Sequence, residues 1–157
     1  MRYVIAILIG IALLLALVYV LVPRMAPLTM TTTEITIAST TIQVDIASTT
    51  AERVQGLSGY QSLAAGQGML FIFQQSGSWG FWMKDMNFPL DIIWLGDKGE
   101  VITVDSGLAP ATYPEVFYPS APSRFVLEVP AGFAASHGIV PGTSMVLTSQ
   151  INTAADL

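Results

Sequence analysis

The stretch from Trp79 to Trp94 constrains the fold of this 157-residue chain more than any other segment. It gathers three Trp, two Phe and two Met around Lys84, Asp85 and Asp91. A solvated loop would not carry this much aromatic surface, and an ordinary core strand would not carry a Lys and two Asp. The segment is therefore either a partly exposed binding surface or part of a core that contains an ion pair.

The N-terminal segment predicts a membrane anchor. From Val4 to Val22 there are nineteen consecutive uncharged, mostly aliphatic residues. As an α-helix they would span roughly 28 Å, close to the roughly 30 Å hydrocarbon core of a bilayer. The alternative is a cleaved signal peptide, but its apolar core normally spans about 7–15 residues and precedes a small-residue cleavage site, which Pro23–Pro27 lacks. We expect residues 1–24 to be an uncleaved transmembrane helix and residues 25–33 to be a linker.

The rest of the chain is acidic. From Leu28 onward there are four basic residues (6 less Arg2 and Arg24) and all eleven acidic ones, a net charge of −7. This charge argues against nucleic acid as a partner. The short tail before the anchor favours a globular domain on the extracytoplasmic side of the membrane. With no Cys and a single His, His137, the sequence predicts no disulfide, no metal site and no other cofactor.

Alternating apolar and polar residues predict a mainly β domain. Two half-buried strands around Ile35 and Val44 should meet at a turn at Ser39 and Thr40. Further strands are expected at Met69–Phe73, Gly80–Lys84, Leu90–Leu95, Glu100–Val104, Phe125–Val129 and Met145–Ser149. The sum over residues 34–151 is a compact, mostly antiparallel domain that closes into a barrel to hide its edges.

Three short helices and two irregular segments complete the prediction. Capping boxes and terminal glycines place the helices at Ala51–Gln55, in the residues between Ser58 and Gly66, and at Ala131–His137. The segment from Asp105 to Ser123 is rich in Pro and aromatic residues, so we expect it to lie against the domain. Residues 152–157 are expected to be a disordered tail.

Several motifs occur in a distinctive order. They are Arg53-x-x-Gly56-Leu57, Gly68-Met69-Leu70-Phe71-x-Phe73, Phe81-Trp82-Met83-Lys84, Pro89-Leu90-Asp91-Ile92, Val126-Leu127-Glu128-Val129-x-Ala131-Gly132 and Gly138-Ile139-x-x-Gly142. Together they resemble the domain-of-unknown-function 192 family over roughly residues 35 to 150. The resemblance implies a compact β-rich fold, in a family many of whose members are exported or anchored. It implies no particular biochemical activity.

Charged residues within apolar segments are the candidates for a functional site. Trp82 and Lys84 share one face if Gly80–Lys84 is a strand, because side chains alternate along it. Glu128 interrupts an apolar strand, where an unpaired carboxylate would cost several kcal/mol. The candidate ligand-binding residues are Arg53, Trp82, Lys84, Asp91 and Glu128.

The sequence leaves several roles open for these residues. Lys84, Asp91 and Glu128 could form an ion pair or triad that fixes strand register, and Arg53 could bond loop carbonyls. Alternatively, the group could bind a small polar ligand or an envelope protein. A hydrolase or lyase with Asp91 or Glu128 as general base is a third possibility, and a purely structural envelope module is a fourth. No standard catalytic constellation is visible, so binding is favoured over catalysis.

Overall fold

The computed structural model describes residues 30–146 together with Thr148, Ser149, Ile151 and Ala154. The predicted anchor, the start of the linker and all of the predicted tail except Ala154 lie outside these residues. No helix within the described part is long and apolar enough to cross a membrane.

Six strands form one sheet. They are β1 (Thr31–Ile37), β2 (Thr40–Ala47), β3 (Gln67–Gly77), β4 (Leu90–Leu95), β5 (Val101–Leu108) and β6 (Ser123–Pro130). The spatial order is β1-β2-β3-β6-β4-β5. Only the β2–β3 pair is parallel among these neighbours, and residues 48–66 supply the crossover that a parallel pair requires. The predicted mainly β, mostly antiparallel class is confirmed.

The sheet is open, with β1 and β5 at its edges, rather than closed into the predicted barrel. Residues 142–146 run across one end of both edge strands. Towards β1, the N–H of Val146 donates to the carbonyl of Thr36 at 2.8 Å. Towards β5, the N–H of Val101 donates to the carbonyl of Thr143 at 2.7 Å. The edges are therefore partly covered by an irregular segment that satisfies their backbone groups, which makes full closure unnecessary.

This covering segment replaces the predicted strand Met145–Ser149. Ser144 and Met145 each form an isolated bridge, and Ser149 is helical. Leu147 lies outside the described residues.

Side chains alternate between the faces of the sheet, so two separate cores form. The first core includes Ile35, Val44, Leu70, Ile93 and Leu127. The second core includes Met69, Phe71, Ile92, Trp94 and Val126. Helix α2 (Phe133–Ser136) covers the first core, whereas the crossover and the segment after β3 cover the second.

Helix α1 (Thr50–Gln55) begins at the predicted capping box. The hydroxyl of Thr49 accepts from the N–H of Glu52 at 3.2 Å, and the Glu52 carboxylate accepts from the N–H of Thr49 at 2.8 Å. Gly56 ends the helix with a positive φ of 49°. The local sequence is thus sufficient to define this helix.

The second predicted helix, after Ser58, does not form. Residues 57–66 make turns, and the hydroxyl of Ser58 donates to the carbonyl of Lys84 at 3.1 Å instead of capping a helix. Asn87 likewise donates its side-chain amide to the carbonyl of Tyr60 at 2.8 Å. Ser and Asn often favour such local or tertiary backbone bonds over helix. These bonds hold the crossover against the segment that precedes β4.

The predicted strand Gly80–Lys84 is also not a strand. Phe81 exchanges two backbone hydrogen bonds with Phe117, of 2.9 and 2.8 Å, and the chain then turns at Asp85, whose φ is +56°. A strand needs a neighbour over several residues, and here the partner is a single residue of the Pro-rich loop. The same bonds confirm that this loop lies against the domain.

Gly68 gives a test of the pairing between β3 and β6. A Cβ at this position would lie 2.8 Å from the backbone oxygen of Glu128 and 3.2 Å from Val129 Cγ1. Gly68→Ala is expected to lower the free energy of unfolding by about 1–3 kcal/mol, because backbone atoms cannot yield as a side chain can. Urea denaturation measures the loss. Gly96→Ala is the matched control, since the three atoms nearest to its Cβ all belong to the side chain of Glu100, which can move; equal losses in the two variants would contradict this explanation.

Candidate functional site

A cleft of about 370 Å³ opens on the face of the sheet that carries the second core. Small-molecule sites typically occupy about 300–1,000 Å³. Its walls come from α1, the turn after it, β3, the segment 79–86 and β6. Four of the five candidate residues line it: Arg53, Trp82, Lys84 and Glu128.

Glu128 lies at the floor of the cleft, on a strand with neighbours on both sides. Its residue partners across the sheet are Met69 on β3 and Ile92 on β4, both fully buried. Glu128 itself is 5% exposed, and no other described residue reaches its carboxyl with a hydrogen bond or an ion pair. Burial raises the pKa of this carboxyl from 4.5 to about 8. At neutral pH the group is therefore mainly protonated and uncharged.

Arg53 joins α1 to the sheet. One of its guanidinium nitrogens donates to the backbone carbonyls of Ser48 and Ile72, at 2.9 Å for Ile72. The guanidinium also lies 5.2 Å from the ring centroid of Phe73. Arg53 therefore has one of the roles that the sequence left open: it bonds to backbone carbonyls of a loop and a strand. The side chain is half-buried and lines the cleft, and its second terminal nitrogen lies 3.5 Å from the Thr50 hydroxyl.

Lys84 and Trp82 lie at the mouth of the cleft. Both are exposed, and the Lys84 ammonium lies 5.8 Å from the centroid of the Trp82 ring. The Trp82 ring in turn meets Tyr113 of the Pro-rich loop edge to face, at 5.8 Å. No carboxylate of the described residues lies within ion-pair distance of Lys84, whereas Arg124 and Asp97 form a pair of 4.0 Å elsewhere.

Asp91 is not part of this cleft. It is fully buried on the opposite face, where its carboxylate accepts N–H groups from Gly107 at 2.8 Å, Gly132 at 3.1 Å and Ala134 at 2.9 Å. The triad of Lys84, Asp91 and Glu128, one of the roles that the sequence left open, therefore does not form. The reason is the alternation of side chains along paired strands. Asp91 pairs with Val129 and Ile92 pairs with Glu128, so the two carboxyls point to opposite faces of the sheet.

From the sequence, Phe73 is expected to be a core residue and Trp79 has no assigned role, yet both line the cleft. Their rings stack with centroids 4.2 Å apart and planes 7° apart. Phe81 lines it as well and meets Phe71 edge to face at 4.8 Å. The parity of β3 would have identified Phe73, because it lies two residues beyond Phe71 on the face to which Glu128 points. The contribution of Trp79 depends on the conformation of the segment after β3, which no local pattern of residues predicts.

A second concavity, of about 570 Å³, lies beside α2 and is lined by Ser136 and His137 among others. Both side chains are already bonded to their own helix: Ser136 donates to the carbonyl of Gly132 at 2.8 Å, and His137 Nδ1 lies 2.9 Å from the carbonyl of Phe133. Within the described part of the chain, no three His, Cys, Asp or Glu side chains are grouped as a metal site requires. The cleft above Glu128 is the better candidate site.

The ionisation of Glu128 should make stability pH-dependent. Because its pKa is raised from 4.5 to about 8 in the folded state, the carboxyl has no effect below pH 4.5 and destabilises the fold progressively up to about pH 8. Glu128→Gln, which cannot ionise, should raise the free energy of unfolding by on the order of 4 kcal/mol at pH 8 and by little at pH 4.5. Urea denaturation at both pH values tests this. A gain that is the same at both would show that the carboxyl titrates normally.

Asp91 should have a different, purely structural effect. In Asp91→Asn, one carboxylate oxygen becomes an NH₂ group that faces a backbone N–H donor. We expect a loss of about 2–4 kcal/mol in the free energy of unfolding, measured by urea denaturation at pH 7. Ligand binding by the remaining folded protein should be unchanged, because the residue faces the other core. A stable variant with altered binding would contradict this assignment.

Known proteins share this fold. A crystal structure from Sinorhizobium meliloti 1021, described as a candidate transcription regulator, is 25% identical with a TM-score of 0.73 and covers 77% of this chain and 97% of its own. A protein of unknown function from Novosphingobium aromaticivorans DSM 12444 is 28% identical with a TM-score of 0.72, and covers 78% and 90% respectively. Among curated proteins, none matches. The DUF192 family model, described as uncharacterized ACR, matches residues 31–147. The chain therefore belongs to the DUF192 family.

Proposed function

We propose that this domain binds a small polar ligand in the cleft above Glu128. The observation that carries the proposal is a carboxyl that is 5% exposed and has no partner among the described residues, at the floor of a cleft of about 370 Å³. A buried polar group without a hydrogen bond costs about 1–3 kcal/mol. Nothing in the described fold requires a carboxyl at this position, whereas a bound ligand would give it a partner.

The other groups around the cleft support the same proposal. Trp82 is half exposed at the mouth, and its ring offers an apolar face to a ligand. Lys84 and Arg53 offer N–H donors of positive charge. An envelope protein that packs a side chain against the exposed surfaces of Trp82 and Tyr113 is an alternative occupant, because both rings are exposed.

We further propose that the domain is anchored by residues 1–24 on the extracytoplasmic side of a membrane. The support is the uncharged run from Val4 to Val22. β1 begins at Thr31, so a linker of only a few residues would hold the domain close to the bilayer. The description of the Sinorhizobium relative as a transcription regulator is a weak guide here, since a net charge of −7 from Leu28 onward disfavours contact with DNA.

Acid–base catalysis by Glu128 is a second candidate function. A carboxyl with a raised pKa in a cleft is the feature that a hydrolase or lyase would need. At neutral pH it would act first as a general acid, not as the general base expected from the sequence. Asp91 faces the other core and cannot supply a second carboxylate, so the geometry favours binding over catalysis.

Ligand-observed NMR with a set of small sugars, hydroxy acids and aromatic acids tests the binding proposal. Compounds that bind the full-length chain should lose at least about tenfold in affinity in Trp82→Ala, because the exposed ring at the mouth is removed. Lys98→Ala is the control for nonspecific changes, since Lys98 is exposed on the β4–β5 hairpin, away from the cleft. Binding that is unaffected by Trp82→Ala, or absent for every compound, would refute the proposal.

A further inference from the structure

We propose that the ligand of this cleft is a small organic anion that also carries an uncharged oxygen acceptor. Its anionic group would lie at the mouth against Lys84 and Arg53, its ring or chain between the aromatic walls, and its acceptor oxygen at the floor against Glu128. This inference rests on the binding function proposed above and adds the chemical class of the ligand.

The mouth of the cleft is positively charged in an otherwise acidic domain. Among the residues that line it, the cationic groups are Arg53 and Lys84, and the acidic group is Glu128. Glu52 is close in sequence, but its carboxylate is bonded to the N–H groups of Ser48 and Thr49 in the capping box. The ammonium of Lys84 has no carboxylate partner within the described residues.

Local charge should therefore decide which ligands enter. At physiological ionic strength, exposed charges are screened over about 8 Å, so acidic groups elsewhere on the domain act weakly at the cleft. The net charge of −7 from Leu28 onward would repel an approaching anion only at long range. Once inside, an anionic group meets Lys84 and Arg53, whereas a cation meets two like charges.

The floor of the cleft supplies a hydrogen-bond donor. A protonated carboxyl has one O–H donor, and a carbonyl, ether or hydroxyl oxygen can accept from it. The groups that face Glu128 from β3 and β4 are the apolar Met69 and Ile92. The charged groups that reach the cleft are Arg53 from α1 and Lys84 from the segment before β4. Burial alone keeps the pKa of Glu128 near 8, so the donor should persist through neutral pH and be lost above it.

The walls favour a flat or apolar middle portion. The stacked pair of Phe73 and Trp79 lines the cleft, as do Phe81 and Trp82. Aromatic walls of this kind bury a ring or a short hydrocarbon chain favourably. An inorganic anion such as phosphate would leave this surface unused, which is why we infer an organic anion.

A matched set of three probes tests the inference: 4-methoxybenzoate, 4-methoxybenzyl alcohol and 4-methoxybenzylamine. They share a ring and an ether oxygen, and they differ in the charge at the other end. Titration of the full-length chain, followed by the indole N–H signals of Trp79 and Trp82 in NMR, should show the benzoate binding at least about tenfold more tightly than the amine at pH 7, with the alcohol between them. Lys84→Ala should weaken benzoate binding about three- to tenfold, and Lys98→Ala should leave it unchanged.

A pH series separates the role of Glu128. Between pH 7 and 9 the benzoate and its ether oxygen do not titrate, so weaker binding at pH 9 would report ionisation of the carboxyl at the floor. Glu128→Gln keeps an N–H donor and cannot ionise, and it should bind the benzoate within about threefold of wild type at pH 7 and equally well at pH 9.

The possible failures are distinguishable. If the alcohol or the amine binds as tightly as the benzoate, or if Glu128→Gln keeps the loss at pH 9, the assigned ligand class is wrong although the cleft is a binding site. If none of the three probes shifts the Trp79 or Trp82 signals, the ligand class is refuted, and the binding function is refuted as well only if the sugars, hydroxy acids and aromatic acids of the wider set also fail to bind.

Discussion

The position of β6 between β3 and β4 is the constraint on which the rest of the structure depends. Both faces of this strand are covered along residues 125–129, so each of these side chains must point to one of the two cores. Antiparallel pairing then determines which core each side chain enters. Glu128 pairs with Met69 and Ile92 and points towards the second core. Asp91 pairs with Val129 and points towards the first core. Asp91 and Glu128, which the sequence suggested as members of one site, therefore lie on opposite faces of the sheet.

Their environments determine what each can do. Asp91 meets three backbone N–H groups and holds the start of α2 and the end of β5 against the sheet. Glu128 meets apolar side chains and a cleft, so its pKa rises to about 8 and it remains uncharged at neutral pH. One carboxylate therefore stabilises the fold, and the other carboxyl is costly to keep once ionised. The cleft above Glu128, which is also lined by cations and aromatic rings, is where a ligand can give the uncharged carboxyl a hydrogen-bond partner.

The sequence predicts most of the strands, helices α1 and α2 and most of the site residues, and each wrong prediction has a physical cause. Alternating apolar residues predict β1 and β2 because a half-buried strand has a simple periodicity, and a short, mostly apolar run predicts β4. The capping box at Thr49 predicts α1 because its bonds are local. The false helix after Ser58 and the false strand at Gly80–Lys84 were lost to tertiary bonds, with Lys84 and Phe117, that no local pattern encodes. Four of the five candidate residues line one cleft. The fifth, Asp91, is excluded by the register between β4 and β6, which depends on tertiary pairing and is not encoded in a local pattern.

The central claim is that the Glu128 carboxyl is buried without a partner and is protonated at neutral pH. The most direct test is a pH titration of its side-chain carboxyl carbon by ¹³C NMR, with assignment by Glu128→Gln. A midpoint near pH 8 is expected, because burial raises the pKa of this carboxyl. A midpoint near pH 4–5, the ordinary range for Glu, would mean that the group is paired or hydrated, and the account of the cleft would fail.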